Sequence, residues 1–227
     1  MWALVKSNKI EEIISSPKEM VIDDVRHPRA LFSAWTDAER KAIGILPVTT
    51  SGTSLDSKYY IEKDEAFAIA GDKNSVVRTI GVKVADRALE DVNEVWTQAE
   101  IDDGQAPDGT SANDPKNDAD GNQIVTLGLK SNAKNKATTQ ANGLLKDFDW
   151  LIQRKVTADT AIPSDVVTYM AAIRTDHKAI CDAIDGASDL DAFIALHNDT
   201  YKGDGTVDVV ARVNRWTDDK DVKQHRR

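Results

Sequence analysis

Residues 164–185 read SDVVTYMAAIRTDHKAICDAID, and within them Val166, Met170, Ile173, His177, Ile180 and Ile184 recur at alternating steps of four and three. That spacing lines one face of a helix and predicts either an antiparallel helix hairpin or a coiled-coil seam, packed within the chain or against symmetry mates. Ile162-Pro163-Ser164 opens the helix, with Ser164 as the capping residue or Pro163 early in its first turn. Upstream, Ala141, Leu144 and Leu145, Phe148, Leu151 and Ile152, then Val156 repeat at three and four, which predicts one partner helix from about Asn132 to Asp159. Trp150, with Arg154 and Arg174, is placed to form a fixed cluster between the two helices. The six seam residues and Trp150 are therefore the candidate interface residues. Downstream, Ser188-Asp189-Leu190-Asp191 predicts a capped third helix carrying Leu190, Phe193, Ile194 and His197. After Gly203-Asp204-Gly205, Val207 to Val213 alternates as a last strand or extended arm. The closing 214–227, with five bases and three acids, reads as a mobile or partner-docked tail.

The chain ahead of these helices has a different period. Trp2, Leu4 and Lys6 alternate, Asn8-Lys9 is a tight turn, and Ile10 to Ile14 returns as a hairpin. Met20 to Ile22 and Val25-Arg26 flank Asp23-Asp24 in the same way, and His27-Pro28 enforces an extended exit. Thr36-Asp37-Ala38-Glu39 is a capping box that starts a short helix, which Gly44 ends before Ile45-Leu46-Pro47 leads away extended. From Val48 to Lys58 the composition turns to Thr, Ser and Gly, the pattern of a linker. Strand patterns follow at Lys58 to Glu62, Ala66 to Ala70 and Val76 to Val84, with Gly71-Asp72-Lys73-Asn74 as a hairpin turn. Ala85 to Trp96 fits strand or helix, and Gln123 to Lys130 reads as strand. The fold class expected is α+β: an N-terminal β module with a short helix (1–48), a central β-rich region (57–130), a C-terminal helical unit (131–200) and an arm or tail (201–227).

With 227 residues and 41% hydrophobic content the chain is long enough to bury a core. One cysteine, Cys181, forbids an intrachain disulfide and any zinc site that needs several thiolates. No apolar run reaches the roughly 18 residues of a membrane span, and the opening Met1-Trp2-Ala3-Leu4-Val5-Lys6 lacks a signal peptide's basic-then-apolar layout. The net charge of −9 argues against a nucleic-acid partner, since that affinity comes from Lys and Arg on phosphates. Residues 99–122 hold seven acids against Lys116 alone, a local charge of −6 in a Gly-, Pro- and Asn-rich setting that predicts an exposed loop.

No P-loop, dinucleotide fingerprint, zincin helix or nucleophile elbow occurs. His177 and Cys181 stand four apart on the seam helix, a spacing that suits a metal, but two ligands are not a site; His177 reads as a packed, hydrogen-bonded histidine and Cys181 as a small buried apolar residue. Asp118-Ala119-Asp120-Gly121-Asn122 has half the pattern of a calcium loop, yet Lys116 stands where the first acid belongs, so a solvated turn is expected. Asp102-Asp103 and Asp23-Asp24 could pair as acid and base for glycoside cleavage, but loop neighbours with 6% aromatic content offer no lined cleft. Catalytic, cofactor and metal residues are accordingly expected to be none.

Two patches carry a resemblance. Met1-Trp2-Ala3-Leu4-Val5, His27-Pro28-Arg29-Ala30-Leu31-Phe32-Ser33-Ala34-Trp35-Thr36 and Ala42-Ile43-Gly44-Ile45 together resemble the N-terminal segment of a group of tailed-bacteriophage proteins, notably of marine podoviruses and myoviruses. Leu144-Leu145, Asp149-Trp150, Arg154-Lys155, Ile162-Pro163, Tyr169, Ile173-Arg174 and Leu190-Asp191-Ala192-Phe193 are similar to a C-terminal helical unit shared by phage tail proteins and tail-fibre assembly proteins. The relatives often end in Trp-Pro, whereas Trp216 here precedes Thr217 and a basic extension. The resemblance implies a non-enzymatic virion component, tail-associated as a fibre, adaptor or baseplate-type protein. It would be made in the host cytoplasm, partnered by other virion proteins and by its own copies, with a host receptor as a further partner. The alternatives it leaves are a tail-fibre assembly chaperone and a receptor- or carbohydrate-binding module.

Overall fold

Two-residue turns set the register of the first two hairpins. Ser7 and Asn8 hold φ of 47° and 62°, and Asp23 and Asp24 hold 48° and 62°, the left-handed pair that matches strand twist in a tight hairpin. They join β1 (Trp2–Lys6) to β2 (Lys9–Ile14) and β3 (Met20–Ile22) to β4 (Val25–His27). The computed structural model describes residues 1–226. The chain divides into two compact units, Met1–Asp86 and Arg87–Arg227.

In the first unit a short helix, α1 (Leu31–Ala34), precedes α2 (Asp37–Ala42). The expected capping box is formed: the Glu39 N–H donates to Thr36 Oγ1 at 3.3 Å and the Thr36 N–H to Glu39 Oε2 at 2.7 Å. The α1 turn was not legible in the sequence, because what ends it is a guanidinium. Arg40 donates to the carbonyls of Leu31, Phe32 and Trp35 at 3.2, 3.3 and 2.5 Å, satisfying helix-end acceptors that have no partner within four residues. Gly44 closes α2 at φ 83°, where a Cβ would stand 2.6 Å from the Val5 carbonyl oxygen.

Of the stretch expected as a linker from Val48 to Lys58, residues 48–51 are instead the second half of β5 (Ile45–Ser51), and residues 52–58 form the connecting loop. Val48, Thr49 and Thr50 are β-branched and satisfy a strand as readily as a loop once a partner is available. The partner comes from the central region. After β6 (Tyr60–Glu62) and β7 (Ala66–Ile69), β8 (Val76–Thr79) pairs parallel to β5, with Val48 opposite Val76. The resulting sheet has the order β2-β1-β5-β8-β7, and β9 (Lys83–Asp86) pairs separately with β6. The boundary expected near residue 48 is therefore crossed by a strand. One face of the sheet packs Leu4, Ile14 and Ile45 against Met20, Ile22, Leu31 and Phe32; the other gathers Ala3, Leu46 and Val76.

The second unit opens with two-residue strands and a short helix, β10 (Val92–Asn93), α3 (Gln98–Asp102) and β11 (Val125–Thr126). The strand expected through Lys130 stops at Thr126, because Leu129 already begins α4 (Leu129–Lys146). The single helix expected to Asp159 is two: α4 and α5 (Asp149–Ala158) are separated at Asp147-Phe148. Phe148 stands at the break. It is fully buried in the core, its ring 5.6 Å from that of Tyr169. α6 (Ser164–Asp185) follows with Pro163 at its capping position. Next come α7 (Leu190–Ala195), β12 (Thr200–Tyr201) and β13 (Val207–Val209). Asp189 caps α7 as expected, accepting the Ala192 N–H at 2.8 Å. Helices make up 34% of the protein and strands 23%, segregated along the chain, so the fold is α+β.

α4 and α6 run antiparallel, as the Lys134–Asp185 ion pair at one end and the Thr138–His177 contact further along require. Val166, Met170 and Ile173 pack with Ala141, Phe148, Leu151 and Tyr169. Ile180 and Ile184 are fully buried. Burial of each such side chain contributes about 1.5–3 kcal/mol, so this face is the main source of cohesion in the unit.

The tail is the largest departure from expectation. Rather than projecting, it lies on α5 and α6. Thr217 donates through its N–H and hydroxyl to Asp176 Oδ2 at 2.7 and 2.6 Å. Val222 is buried in the same cluster as Phe148, and Trp216 packs against it. The Trp150 indole N–H donates to the His225 carbonyl at 3.0 Å, while His225 Nε2 stands 3.0 Å from Asp165. Arg226 lies 2.6 Å from Asp219 and 3.6 Å from Asp147. Lys220, Lys223 and Arg226, among the bases that suggested a partner, thus find carboxylates of their own chain. Removing residues 221–227 uncovers the aromatic cluster and is expected to cost about 2–4 kcal/mol. Scanning calorimetry should show the unit's Tm lower by about 10 °C; an unchanged Tm would show that the tail adds no stability.

Candidate functional site

Acidic residues in a Gly- and Asn-rich sequence act first on their own backbone. In the arm formed by residues 87–128, Asp118 Oδ1 accepts the N–H groups of Asp120 at 2.9 Å and Asn122 at 2.8 Å, and Asp114 accepts that of Ser111 at 2.7 Å. The Asp118–Asn122 segment is therefore a turn, as expected. Among the described residues no group of three or more His, Cys, Asp or Glu could hold a metal ion. A second capping box, Thr97 with Glu100, starts α3; its pattern was present in the sequence but was masked by reading the whole stretch as loop.

Glu100 is the most tightly held of these acids. Lys116 Nζ sits 2.6 Å from Glu100 Oε1 and 4.8 Å above the Trp96 ring, so one ammonium joins the capping carboxylate to the aromatic side chain. The Lys116 hydrogen bond, followed by those from Thr97, lowers the Glu100 pKa from 4.5 to about 2. A lowered carboxylate pKa means that its contribution is present above the unfolded value and is lost as pH falls through the folded one. Trp96 fluorescence should therefore hold steady down to about pH 4.5 and change progressively towards pH 2. In Glu100→Gln that transition should be absent; its persistence would mean that another group governs it.

The arm's root is built differently, by burial. The Gly128 N–H donates to Asp91 Oδ1 at 2.8 Å, and the Leu129 and Lys130 N–H groups donate to the carbonyls of Ala88 at 2.9 Å and Leu89 at 3.0 Å. Lys130 is buried, and its ammonium joins Glu90 at 2.6 Å to the Asp185 carbonyl at 3.2 Å. This places a cation on the C-terminal carbonyls of α6, where the helix dipole favours it. Gly128 N–H and the Ser131 side chain hold the Asp91 carboxyl below its usual range.

Between root and tip the arm has no core. No hydrophobic residue between Arg87 and Leu129 is buried, whereas Val92, Val95, Ile124, Val125 and Leu127 are exposed by 36% or more. β10 and β11 carry Val92 and Val125. Val95 is bridged to Pro115, and Gln123 donates to the Glu94 carbonyl at 2.6 Å, so backbone bonds hold the ribbon in shape. Trp96 lines a shallow cleft of about 390 Å³ with Pro107, Asp108, Thr110 and Asp114. Asp102 and Asp103, the pair considered for glycoside cleavage, are not in it.

The sequence-derived interface residues lie inside the helical unit. Val166, Met170, Ile173, Ile180 and Ile184 are buried in it, so the seam packs within the chain and presents no surface to a symmetry mate. His177 is half-buried. Its Nε2 lies 3.0 Å from Thr138 Oγ1, whose own proton goes to the Lys134 carbonyl at 2.9 Å, so the imidazole Nε2–H donates across to α4. Cys181 Sγ is 3.5 Å from the same nitrogen, and burial pushes its thiol pKa up. Trp150 is half-buried, with Arg154 5.0 Å over its ring and the tail on its N–H. Arg174 does not join them. It lines a groove of about 380 Å³ beside α4 and α5, with Leu145, Ile152 and Met170 as the apolar side and Lys146 and Asp149 on the rim.

No family model, curated protein or solved structure matches this chain. No helix among the described residues is long and apolar enough to cross a membrane.

Proposed function

We propose that the chain is a non-enzymatic structural component of a tailed-phage virion, tail-associated as a fibre, adaptor or baseplate-type protein. The observation that carries this reading is the arm at residues 87–128. It is ordered by a capping box and backbone bonds, anchored by a buried lysine, and exposes valines, an isoleucine and a leucine on both faces of its ribbon with no core beneath them. Such a segment gains cohesion when another surface covers it, which is the property of an assembly part. The four histidines each have a structural partner. His27 is buried edge-on to Trp35, His177 meets Thr138, His197 meets the Phe193 carbonyl and His225 meets Asp165. The resemblance of the two terminal patches to tailed-phage proteins supplies the virion setting.

Quantitative mass spectrometry of purified particles tests the reading. A stoichiometric copy number is expected. Abundance in infected cells with absence from the particle would replace this reading with an assembly chaperone.

A further inference from the structure

An aspartate followed by glycine is a place where the main chain can rearrange unaided, because glycine has no Cβ to hinder the approach of its amide nitrogen to the preceding carboxyl. The chain has five such pairs, beginning at Asp103, Asp108, Asp120, Asp185 and Asp204. The fold protects four of them. The Gly104 N–H donates to the Ile101 carbonyl at 3.0 Å, Gly121 to Asp118 at 3.1 Å, Gly186 to Asp182 at 3.0 Å and Gly205 to Lys202 at 2.9 Å, so each attacking nitrogen is held by another acceptor. Two of the carboxylates are occupied as well, Asp185 by Lys134 and Asp204 by the Thr206 N–H and hydroxyl. Asn142-Gly143, the corresponding amide pair, lies inside α4.

Asp108-Gly109 stands apart. Both residues are exposed, and neither the Gly109 N–H nor the Asp108 carboxylate makes a hydrogen bond or ion pair among the described residues. They form the middle of a turn closed by one bond, from the Thr110 N–H to the Pro107 carbonyl at 3.2 Å, with Gly109 at φ 83°. Opening that bond frees the backbone between the carboxyl and the nitrogen to rotate.

We propose that Asp108 is a site of spontaneous aspartate isomerisation in the folded protein. The Gly109 amide nitrogen gives up its proton to solvent and bonds to Cγ of the protonated Asp108 carboxyl. A Cγ–O bond breaks and water leaves, closing a succinimide ring. Water then adds at the Asp108 main-chain carbonyl carbon and breaks its bond to the Gly109 nitrogen, which takes back a proton. The chain now runs through Cβ and Cγ, the α-carboxylate is free, and the composition is unchanged, so no oxidant or reductant is needed. Addition of water at Cγ instead restores aspartate. The isoaspartate lengthens by a methylene the turn that lines the 390 Å³ cleft with Trp96 and Asp114, and so reshapes the tip of the arm. This inference stands apart from the virion reading, since it concerns the chemistry of the isolated chain.

Incubating the folded, full-length protein at neutral pH and body temperature tests it. Electron-transfer fragmentation of its proteolytic peptides reads the linkage at each of the five pairs. Isoaspartate is expected to accumulate at Asp108 about tenfold faster than at the other four, the rate equivalent of one protecting hydrogen bond. In the urea-unfolded chain, where that protection is gone, the five rates should converge. A folded protein in which Asp108 gains isoaspartate no faster than Asp103, Asp120, Asp185 and Asp204 would overturn the proposal. So would an equal lead for Asp108 in the unfolded chain, which would trace the rate to neighbouring sequence instead of to the fold. Virion mass spectrometry is indifferent to these outcomes, so the two readings fail separately.

Discussion

Ile173→Asp will leave the helical unit unfolded at room temperature. Ile173 has no exposure to solvent, and among its cluster neighbours Ala141, Phe148, Leu151, Val166, Tyr169 and Met170 only the Tyr169 hydroxyl carries a side-chain donor. The substitution removes an apolar side chain worth about 2–5 kcal/mol when truncated in a core. It also buries a carboxyl in an apolar core, which costs several kcal/mol more whether the group stays charged or takes up a proton. Together these approach the whole stability of a domain, about 5–15 kcal/mol. Circular dichroism should lose the helical signal of α4 to α6, and the near-ultraviolet signal of Trp150 and Trp216 should collapse with it. Ile173→Val is the control, with a loss of about 1 kcal/mol and a native spectrum. An Asp variant that melts with the wild type would mean that α6 does not bury this face.

Gly128→Ala should release the arm while sparing the helices. A Cβ at Gly128 would lie 2.3 Å from the Glu90 carbonyl oxygen and 2.4 Å from that of Leu89, and both are backbone atoms that cannot rotate aside. Residues 88–91 must therefore move away from the start of α4. That movement breaks the bonds from Gly128 to Asp91, Leu129 to Ala88 and Lys130 to Leu89, and separates the buried Lys130 ammonium from Glu90. Three lost hydrogen bonds and an unpaired buried cation amount to about 3–5 kcal/mol at the root. Limited proteolysis should cut the variant within residues 92–127 far faster than the wild type, with little change in helical ellipticity. Equal cleavage rates would show that the root is not the arm's anchor.

Both outcomes depend on side chains of opposite legibility. Ile173 was readable in the sequence as a member of an apolar stripe, and a stripe is a local property: the 3.6-residue period places those side chains together whatever they meet. The capping box at Thr36, the Asp189 cap, both N-terminal hairpins and the Asp118 turn were readable for the same reason, each being settled within four or five residues. Gly128 was not readable. Its role is set by the carbonyl of Glu90, nearly forty residues earlier, and nothing near Gly128 in the chain announces that approach. The parallel partnership of β5 with β8 was hidden likewise, since Val48 to Ser51 is acceptable strand or loop until Val76 to Thr79 arrives. The tail was misread because a run of bases says only that acids are wanted; Asp147, Asp165 and Asp219 supply them from the same chain.

The candidate site followed the same division. The seven acids of residues 99–122 and their exposure were plain from composition. That the segment keeps a defined shape, fastened by Lys116 over Trp96 and by Lys130 under α6, required the folded chain. What the sequence determined by itself was each element whose stabilising partners lie within a helical turn or a hairpin, together with the α+β class that those elements compose. What only the tertiary structure decided was which apolar surface is spent inside and which remains outside. Period and charge are short-range properties of the chain, whereas burial is a relation between residues that meet only after distant segments have packed.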